Sequence, residues 1–179
     1  IGADYTFNSK HEVTPELADE IQIPGLDGNI LYFVNGQYEA GLSSIVSPTS
    51  EVTILPLKEA AVSQEELVDK YFNNIAKTDE EAFTALNTAF ADHGVFIHVA
   101  KGKVVTQPIV LCYVSDARRQ NVAHQPRNLV IIEENAHVKV AETFQTLGEE
   151  RSFTNIVSEI FVAKDAYAEF YKVQDESKN

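Results

Sequence analysis

The feature that most constrains this chain is an internal repeat in its last third. Residues 128–142 (NLVIIEENAHVKVAE) align with residues 158–172 (SEIFVAKDAYAEFYK) at an offset of 30 residues. Apolar positions coincide between the copies: Val130 with Ile160, Ile132 with Val162, Ala136 with Ala166, and Val140 with Phe170. A fixed period of roughly twenty to fifty residues is typical of a solenoid, in which each coil buries the apolar stripe of its neighbour. The repeat therefore predicts strands stacked as in a β-helix.

The repeat also aligns two polar residues. Asn135 and Asp165 occupy the same place in both copies, where a corner needs a residue that tolerates left-handed backbone. The alternative is that two unrelated alternating strands match by coincidence, because alternation alone is common in β proteins. The two interpretations differ in whether Ala136 and Ala166 share one interior column.

A second informative stretch, residues 80–113, changes from helical to strand periodicity. Thr78 and Glu81 have capping-box spacing, and the apolar residues that follow recur at helical spacing: Phe83, Leu86 and Phe90, widened by Ala82 and Ala89. Gly94 ends this pattern. Two alternating strands follow, with Val95, Ile97 and Val99 in one and Ile109, Leu111 and Tyr113 in the other, and Lys101-Gly102-Lys103 turns the chain between them.

The order of these segments, ALNTAF, then GVFIHV, then PIVLCY, resembles the core proteins SufB and SufD of the SUF iron-sulfur cluster assembly machinery. The resemblance extends from about Ile30 to the end of the chain. It favours SufD over SufB, because the chain has one cysteine and no Cys-x-x-Cys pair. The resemblance implies a right-handed parallel β-helix preceded by a small α/β region.

The predicted fold is accordingly mainly β, with a small α/β region containing two helices at residues 1–93 and the start of a parallel β-helix at residues 94–179. Residues 1–28 lack a sustained period and are predicted to be irregular. The predicted elements of the first region are strands at 30–34 and 52–57, an Asn35-Gly36 hairpin with its return strand within 38–46, and a helix that Ser63 and Glu66 cap and whose apolar face is Leu67, Val68, Tyr71, Phe72 and Ile75.

Composition narrows the function classes. The chain of 179 residues is 44% hydrophobic, so it can bury a real core, and its formal charge of −13 disfavours nucleic acid and anionic membranes as partners. A single cysteine, Cys112, fits a reducing cytoplasmic compartment. The sequence contains neither a bilayer-spanning apolar run nor a secretory signal pattern. Because it opens with Ile1 and lacks methionine, we expect a processed or trimmed chain.

The sequence lacks the known motifs for phosphate and metal binding. Val104, rather than Ser or Thr, follows Gly102-Lys103, and the upstream glycine of a phosphate loop is missing. The resemblance agrees, because the SUF system assigns ATP hydrolysis to a separate subunit, SufC. Histidines stand at positions 11, 93, 98, 124 and 137, and their spacing matches no metal-binding motif.

Several individual side chains remain candidates for a functional role. We expect His93 to face the negative end of a helix dipole and His137 to face solvent. His98 and Cys112 are predicted in neighbouring strands, where they would either pack or ligate iron or accept sulfur, and packing is the commoner role of a buried cysteine.

The remaining candidates are charged. One polar loop is predicted to collect Arg118, Arg119, His124 and Arg127, as a solvated surface or as a site for an acidic partner. The carboxylates bordering the strands are Glu133, Glu134 and Glu142, and the sequence gives no separation between them on which to base a glycosidase pair.

The leading hypothesis is a non-catalytic scaffold subunit that acts with SufB-like and SufC-like proteins. The resemblance places the SufC-docking helices and the cluster-building residues near the end of the full-length protein, so no catalytic, cofactor-binding or metal residue is assigned here. An iron-sulfur cluster is expected only within the assembled complex. The alternatives are a carbohydrate-active β-helix protein, which needs stacked outward charges, and a cupin-like metal protein, which needs histidines close together with a glutamate. A truncated solenoid also predicts self-association through its open end.

Overall fold

The computed structural model describes residues 4–7, 9, 13–79, 81–91 and 93–176. These residues form four helices: α1 (Pro15–Ile21), α2 (Leu57–Ser63), α3 (Glu65–Tyr71) and α4 (Ala82–Ala89). They also form twelve strands: β1 (Thr6–Phe7), β2 (Asn29–Val34), β3 (Gln37–Tyr38), β4 (Val52–Pro56), β5 (Val95–Val99), β6 (Ile109–Asp116), β7 (Val122–His124), β8 (Arg127–Ile132), β9 (His137–Leu147), β10 (Ser152–Thr154), β11 (Val157–Val162) and β12 (Tyr167–Asp175). The protein is mainly β, as predicted, but has four helices in the described residues rather than two.

The strands form three sheets. The first sheet has the order β1-β7-β10, the second β4-β5-β8-β11, and the third β3-β2-β6-β9-β12. Among the described strands, pairing is antiparallel only for β2 with β3 and β4 with β5, and is otherwise parallel. Strands that precede residue 94 thus share sheets with strands that follow it, while the division at 93/94 itself stays a prediction.

Consecutive strands visit the three sheets in a repeating order. The chain passes through β7, β8 and β9, one in each sheet, and then through β10, β11 and β12, which lie beside them. The registers join Val122 to Ser152, Val130 to Ile160 and Val140 to Phe170, each thirty residues apart and parallel. The offset read from the sequence is therefore confirmed, and coincidental alternation is excluded.

The corners of the repeat have the predicted backbone. Asn135 and Asp165 have φ values of 57° and 58°, in the left-handed region. The Ala136 carbonyl accepts a hydrogen bond of 2.9 Å from the Tyr167 N–H, which ties one corner to the next. Ala136 and Ala166 both belong to the interior cluster, so the shared interior column is confirmed.

The space between the sheets is filled by one large apolar cluster. Three aromatic rings form a column through it, with Phe33–Tyr113 and Tyr113–Phe144 centroid distances of 5.2 Å each. Leu31, Ile97, Val130 and further aliphatic residues complete the cluster. Side chains at alternate positions point outward instead, and the helices cover them.

Two helical layers cover the outer faces of the sheets. Leu17 and Ile21 of α1 pack against the third sheet at Val110 and Cys112. The pair α2 and α3 covers the second sheet, where Leu57 and Val68 join a cluster with the fully buried Phe96 and Ile131.

The prediction that residues 1–28 are irregular is wrong in part. Helix α1 begins after Thr14, whose side chain accepts a 3.3 Å hydrogen bond from the Leu17 N–H, with Pro15 in the first turn. Its seven residues are too few to display helical periodicity in sequence. Residues 1–3, 8 and 10–12 lie outside the described part of the chain.

Both predicted capping boxes are wrong. Ser63 is the last residue of α2, where its hydroxyl donates to the Glu59 carbonyl at 3.0 Å, and Gln64 is the N-cap residue of α3. Glu81 is itself the N-cap residue of α4, so Thr78 lies a turn too early. The helix predicted to reach Ile75 ends at Tyr71, because the next loop turns its N–H groups toward Glu159.

The predicted Asn35-Gly36 turn of the hairpin is confirmed, but the return strand is shorter than predicted. Asn35 and Gly36 have φ values of 48° and 84°, and Val34 pairs with Gln37 as expected. The return strand ends after two residues, because Leu42 and Ser43 donate backbone hydrogen bonds to the Glu39 carbonyl and form a turn. The strand predicted at 52–57 ends at Pro56, and Leu57 opens α2.

Candidate functional site

His98 and Cys112 are not brought together, contrary to the prediction of neighbouring strands. His98 lies on β5 in the second sheet and Cys112 on β6 in the third sheet, because the chain changes sheets after the Gly102 turn. The His98 Nε2 lies 3.0 Å from Glu133 Oε1, and this contact, with the Lys101 N–H, lowers the pKa of Glu133. His98 is therefore engaged by a carboxylate from the next coil.

Cys112 is a packing residue in this structure. It is 2% exposed and lies in the cluster beneath α1. Burial raises the pKa of its thiol, although hydrogen bonds with Thr143 and Tyr32 act in the opposite direction. The thiol form is inert toward metals and electrophiles, so this environment suits structure better than reactivity.

The predicted polar loop of Arg118, Arg119, His124 and Arg127 is divided. Arg118 remains near the surface, with its Nε 2.7 Å from Asp116 and its Nη1 3.6 Å from Glu20, and Arg119 is exposed. His124 and Arg127 instead lie on β7 and β8 and are buried. The prediction failed because polar side chains at the inward or helix-covered positions of short strands resemble a loop in sequence.

Arg127 forms a buried ion pair with Glu159, a residue that sequence reasoning missed. Both side chains have zero exposure, and the Arg127 Nη2 lies 2.6 Å from Glu159 Oε2. Burial by itself would raise the pKa of Glu159. The N–H groups of Ala76, Asn73 and Ile75, together with Arg127, outweigh it and lower the pKa.

This ion pair joins the helical layer to two successive coils. Arg127 also donates to Asn87 Oδ1 at 3.3 Å and Thr88 Oγ1 at 3.1 Å, both on α4. The Asn87 side-chain amide donates to the Pro126 carbonyl at 2.9 Å and to the Asn155 carbonyl at 2.7 Å. The arrangement fixes α4 and the loop after α3 to the sheets.

A polar ladder lies inside the coils, next to the first sheet. The His124 Nε2 is 2.9 Å from Ser115 Oγ and 3.0 Å from Thr154 Oγ1, the residue thirty positions on. Burial lowers the pKa of His124 to about 4, so the imidazole is neutral at pH 7. Its Nδ1 has no hydrogen-bond partner among the described residues.

A second interior cluster surrounds Asn128. Its side-chain amide donates to Tyr113 Oη at 2.7 Å and to Ser158 Oγ at 3.1 Å, again thirty residues away. Glu142 accepts from Ser158 at 3.3 Å, and burial raises the pKa of this carboxyl group. Glu142 was expected to border the strands, whereas it points inward beside Phe144.

The polar residues that sequence reasoning missed have a common signal. His124 with Thr154, Gln125 with Asn155 and Asn128 with Ser158 are each thirty residues apart, and each pair is joined by a hydrogen bond. Asn128 and Ser158 are the first aligned pair of the repeat, and extending the alignment four residues upstream adds the other two pairs. Glu159 has no such signal, because its counterpart Leu129 is apolar.

The other histidines are peripheral. His137 is exposed, as predicted, and its ring lies 6.0 Å from that of Tyr167 in the next coil. His93 was expected at the end of a helix, but α4 ends at Ala89, four residues earlier, and the helix dipole acts only over the last turn. The His93 carbonyl instead accepts the Arg127 N–H at 2.8 Å. His11 lies outside the described residues.

No site for a metal or a phosphate emerges from the described residues. In that part of the chain, no group of three His, Cys, Asp or Glu side chains converges. Gly102 and Lys103 form a turn between two strands, where the Gly102 N–H donates to the Glu134 carbonyl. Glu134 itself pairs with Lys101. None of the described helices is long and apolar enough to cross a bilayer.

Two family models match this chain. A family model described as the SufBD protein N-terminal region matches residues 2–111, and one described as the SUF system FeS cluster assembly SufBD core domain matches residues 113–179.

Relatives with established family names extend the comparison. An iron-sulfur cluster assembly SufBD family protein of Synechocystis sp. is 27% identical over 97% of this chain, and one of Staphylococcus haemolyticus is 27% identical over 99%. One of Staphylococcus aureus is 26% identical over 99%. The chain spans 40%, 39% and 39% of those relatives, respectively. Since the two family models together cover nearly every residue, the chain belongs to the SufB/SufD family of iron-sulfur cluster assembly proteins.

Proposed function

We propose that this chain is the front part of a non-catalytic, SufD-like scaffold subunit of the SUF iron-sulfur cluster assembly complex. The observation that carries the proposal is the parallel register of β10–β12 on β7–β9, thirty residues apart in all three sheets. Such a stack supplies a rigid surface whose shape does not depend on a bound cofactor. Scaffolding needs that property.

The same register supports a right-handed parallel β-helix. From β7 to β12 the chain passes through the first, second and third sheets in that order twice, and the second pass lies one strand further along each sheet. Parallel strands connected by crossovers adopt the right-handed sense in nearly every protein, because strand twist favours it. We assign that handedness here.

The engaged state of the chemically capable side chains supports a non-catalytic role. The Arg127 guanidinium forms an ion pair with Glu159 and donates hydrogen bonds to α4. The His98 imidazole contacts the Glu133 carboxylate, and burial raises the pKa of the Cys112 thiol. The same cysteine supports SufD rather than SufB, since a lone buried thiol suits neither sulfur acceptance nor cluster ligation.

The proposed partners are a SufB-like subunit and a SufC-like ATPase, in the cytoplasm. A formal charge of −13 favours protein surfaces over nucleic acid or anionic membranes. A carbohydrate-active β-helix gains no support from β9 and β12, because their outward positions pair Lys139 with Glu169 at 3.3 Å and stack His137 on Tyr167. Neither pair consists of two like acidic groups.

The experiment combines this chain with SufB-like and SufC-like proteins from the same source. A second sample uses a longer version that carries the segment found in the relatives beyond the match. Size-exclusion chromatography with multi-angle light scattering measures complex formation, and phosphate release measures ATP hydrolysis. We expect the longer version to form the complex and the present chain to hydrolyse no ATP.

Anaerobic reconstitution tests the non-catalytic assignment separately. Iron and acid-labile sulfide are measured on the isolated chain after gel filtration, with Cys112→Ala as the matched control. We expect neither element in stoichiometric amounts. Stoichiometric iron and sulfide that disappear in the Cys112→Ala variant would contradict the scaffold assignment.

A further inference from the structure

Helix α4 and its C-cap residue present two phenylalanine side chains to solvent. Asn87 is its one fully buried residue in the described part of the helix, whereas Phe83 is 58% exposed and Phe90 at its C-cap is 45% exposed. The orientation follows from the Asn87 hydrogen bonds to the Pro126 and Asn155 carbonyls, which require the amide to face the sheets. An amphipathic helix turned outward leaves an apolar face without a partner.

Two further phenylalanines extend this face across the first sheet. Phe7 of β1 and Phe153 of β10 share one register row with Ala123, on the side opposite His124 and Thr154. Phe90 stacks on Phe7 at a centroid distance of 5.4 Å, and Phe83 lies 6.4 Å from Phe153. The four rings Phe7, Phe83, Phe90 and Phe153 define the aromatic patch.

An acidic hollow adjoins the aromatic patch. Its volume is about 620 Å³, and its lining residues lie where the strands of the first sheet begin: Asp4, Asn121, Glu149, Glu150 and Arg151. Three of these lining residues are acidic and one is basic. Asp4 precedes Phe7 by three residues, which corresponds to roughly 10 Å along an extended strand. A single partner segment can therefore reach both features.

We propose that the aromatic patch and the acidic hollow together form a docking surface for a cationic amphipathic segment of a partner protein. Apolar side chains of the segment cover Phe83 and Phe90, and a Lys or Arg side chain enters the hollow. Aromatic anchors supply most of the affinity at such interfaces, and the acidic rim steers the cationic segment toward them. A second copy of this chain fits less well, because it would bring a charge of −13 against −13.

The probe is a Leu/Lys peptide of about 14 residues, roughly four helical turns, with its leucines on one face. Two control peptides separate shape from charge: a scrambled isomer with the same composition, and a Leu/Glu version with the same apolar face. Fluorescence anisotropy at two salt concentrations gives the affinities. We expect the Leu/Lys helix to bind about tenfold more tightly than either control.

Matched variants locate the binding. Phe83→Gln with Phe90→Gln should weaken binding of the Leu/Lys peptide about tenfold, because both anchors are lost. Asp4→Asn with Glu150→Gln should weaken it about threefold and flatten its salt dependence. The remote controls are Val62→Gln on α2, which is 83% exposed, and Glu65→Gln with Glu66→Gln on α3. Neither control should change the affinity.

Three results would overturn the proposal. The scrambled peptide could bind as tightly as the amphipathic one, or the remote acidic variant could weaken binding as much as the Asp4/Glu150 variant. Either result means attraction by net charge alone. Sedimentation showing that Phe83→Gln with Phe90→Gln abolishes self-association would identify a second copy as the occupant. Circular dichroism of each variant establishes that the fold is retained.

Discussion

The ion pair of Arg127 and Glu159 links strands β8 and β11 to helix α4 and to the loop after α3. Neither side chain has solvent exposure, and Glu159 also accepts three backbone N–H groups from the loop after α3. An isolated buried charge is costly, so each partner is required mainly because the other is present.

Replacing Glu159 should therefore destabilise the fold strongly. We expect Glu159→Gln to lower the free energy of unfolding by about 3–5 kcal/mol, since Arg127 would remain buried and unpaired. The matched control is Glu169→Gln, which breaks the surface pair with Lys139 and should cost far less, because exposed ion pairs contribute little to stability. Urea unfolding measures both. Similar small losses for the two variants would show that water relieves the Arg127 charge.

Protonation of His124 should make stability depend on pH. Its folded pKa of about 4 lies below the ordinary histidine pKa of 6.5, so between these pH values the unfolded chain binds a proton that the native state does not. Stability is thus unaffected by this group above about pH 6.5 and falls as the pH drops toward 4, by up to about 3 kcal/mol.

The measurement compares urea unfolding of the parent, His124→Gln and His137→Gln between pH 7 and pH 4. Carboxylates also titrate in this range, so the informative quantity is the difference between each variant and the parent. His124→Gln should remove the histidine contribution, and the substitution of the exposed His137 serves as the matched control. Parallel profiles for the parent and His124→Gln would contradict the assignment.

At the scale of elements, the features that were predicted correctly are those that a local sequence pattern determines. The thirty-residue repeat, the left-handed corners at Asn135 and Asp165, and the Asn35-Gly36 turn all depend on residues whose preferences act within a few positions. The exposed face of α4 was not predictable in this way. Its phenylalanines indicate a buried stripe, whereas tertiary hydrogen bonds to Asn87 decide which face points inward.

The candidate site was less predictable than the fold for the same reason. His124 and Arg127 have a polar local sequence, and only pairing with Thr154 and Glu159 from the following coil reveals that they are buried. His98 and Cys112 were expected to be neighbours because they are close in sequence. A change of sheet between β5 and β6 separates them.

The entry to β5 depends on Gly94. This residue has a φ of 138°, and a Cβ atom there would lie 1.9 Å from the Arg127 carbonyl oxygen. We expect Gly94→Ala to lower the free energy of unfolding by about 3 kcal/mol or more, because backbone must move on both strands.

The matched control for this position is Gly102→Ala. Gly102 has a φ of 72°, and a Cβ atom there would meet nothing within 4 Å. Gly102→Ala should therefore lower the free energy of unfolding only by the strain of a left-handed alanine, about 1–2 kcal/mol. Thermal and urea unfolding give both values. Equal losses for Gly94→Ala and Gly102→Ala would mean that the close approach to Arg127 relaxes at little cost.

At the scale of the whole molecule, the last coil differs from the others because no strand covers it among the described residues. β10, β11 and β12 are the outermost strands of their sheets. Large apolar residues on this coil are partly exposed: Val162, Tyr167, Phe170, Tyr171 and Val173. An edge strand with unpaired backbone groups and apolar side chains is a template for further strand pairing.

We therefore expect this chain to self-associate through β12 when it is studied alone. Each copy carries a formal charge of −13, so association should strengthen as salt screens the repulsion. Tyr171→Lys with Val173→Lys should weaken it by placing charges on the edge, whereas Val62→Lys on the distant α2 should not. Light scattering across a concentration series at low and high salt measures the effect. A monomer whose mass stays constant with concentration at both salt levels would mean that the charged chain protects its open edge without a partner strand.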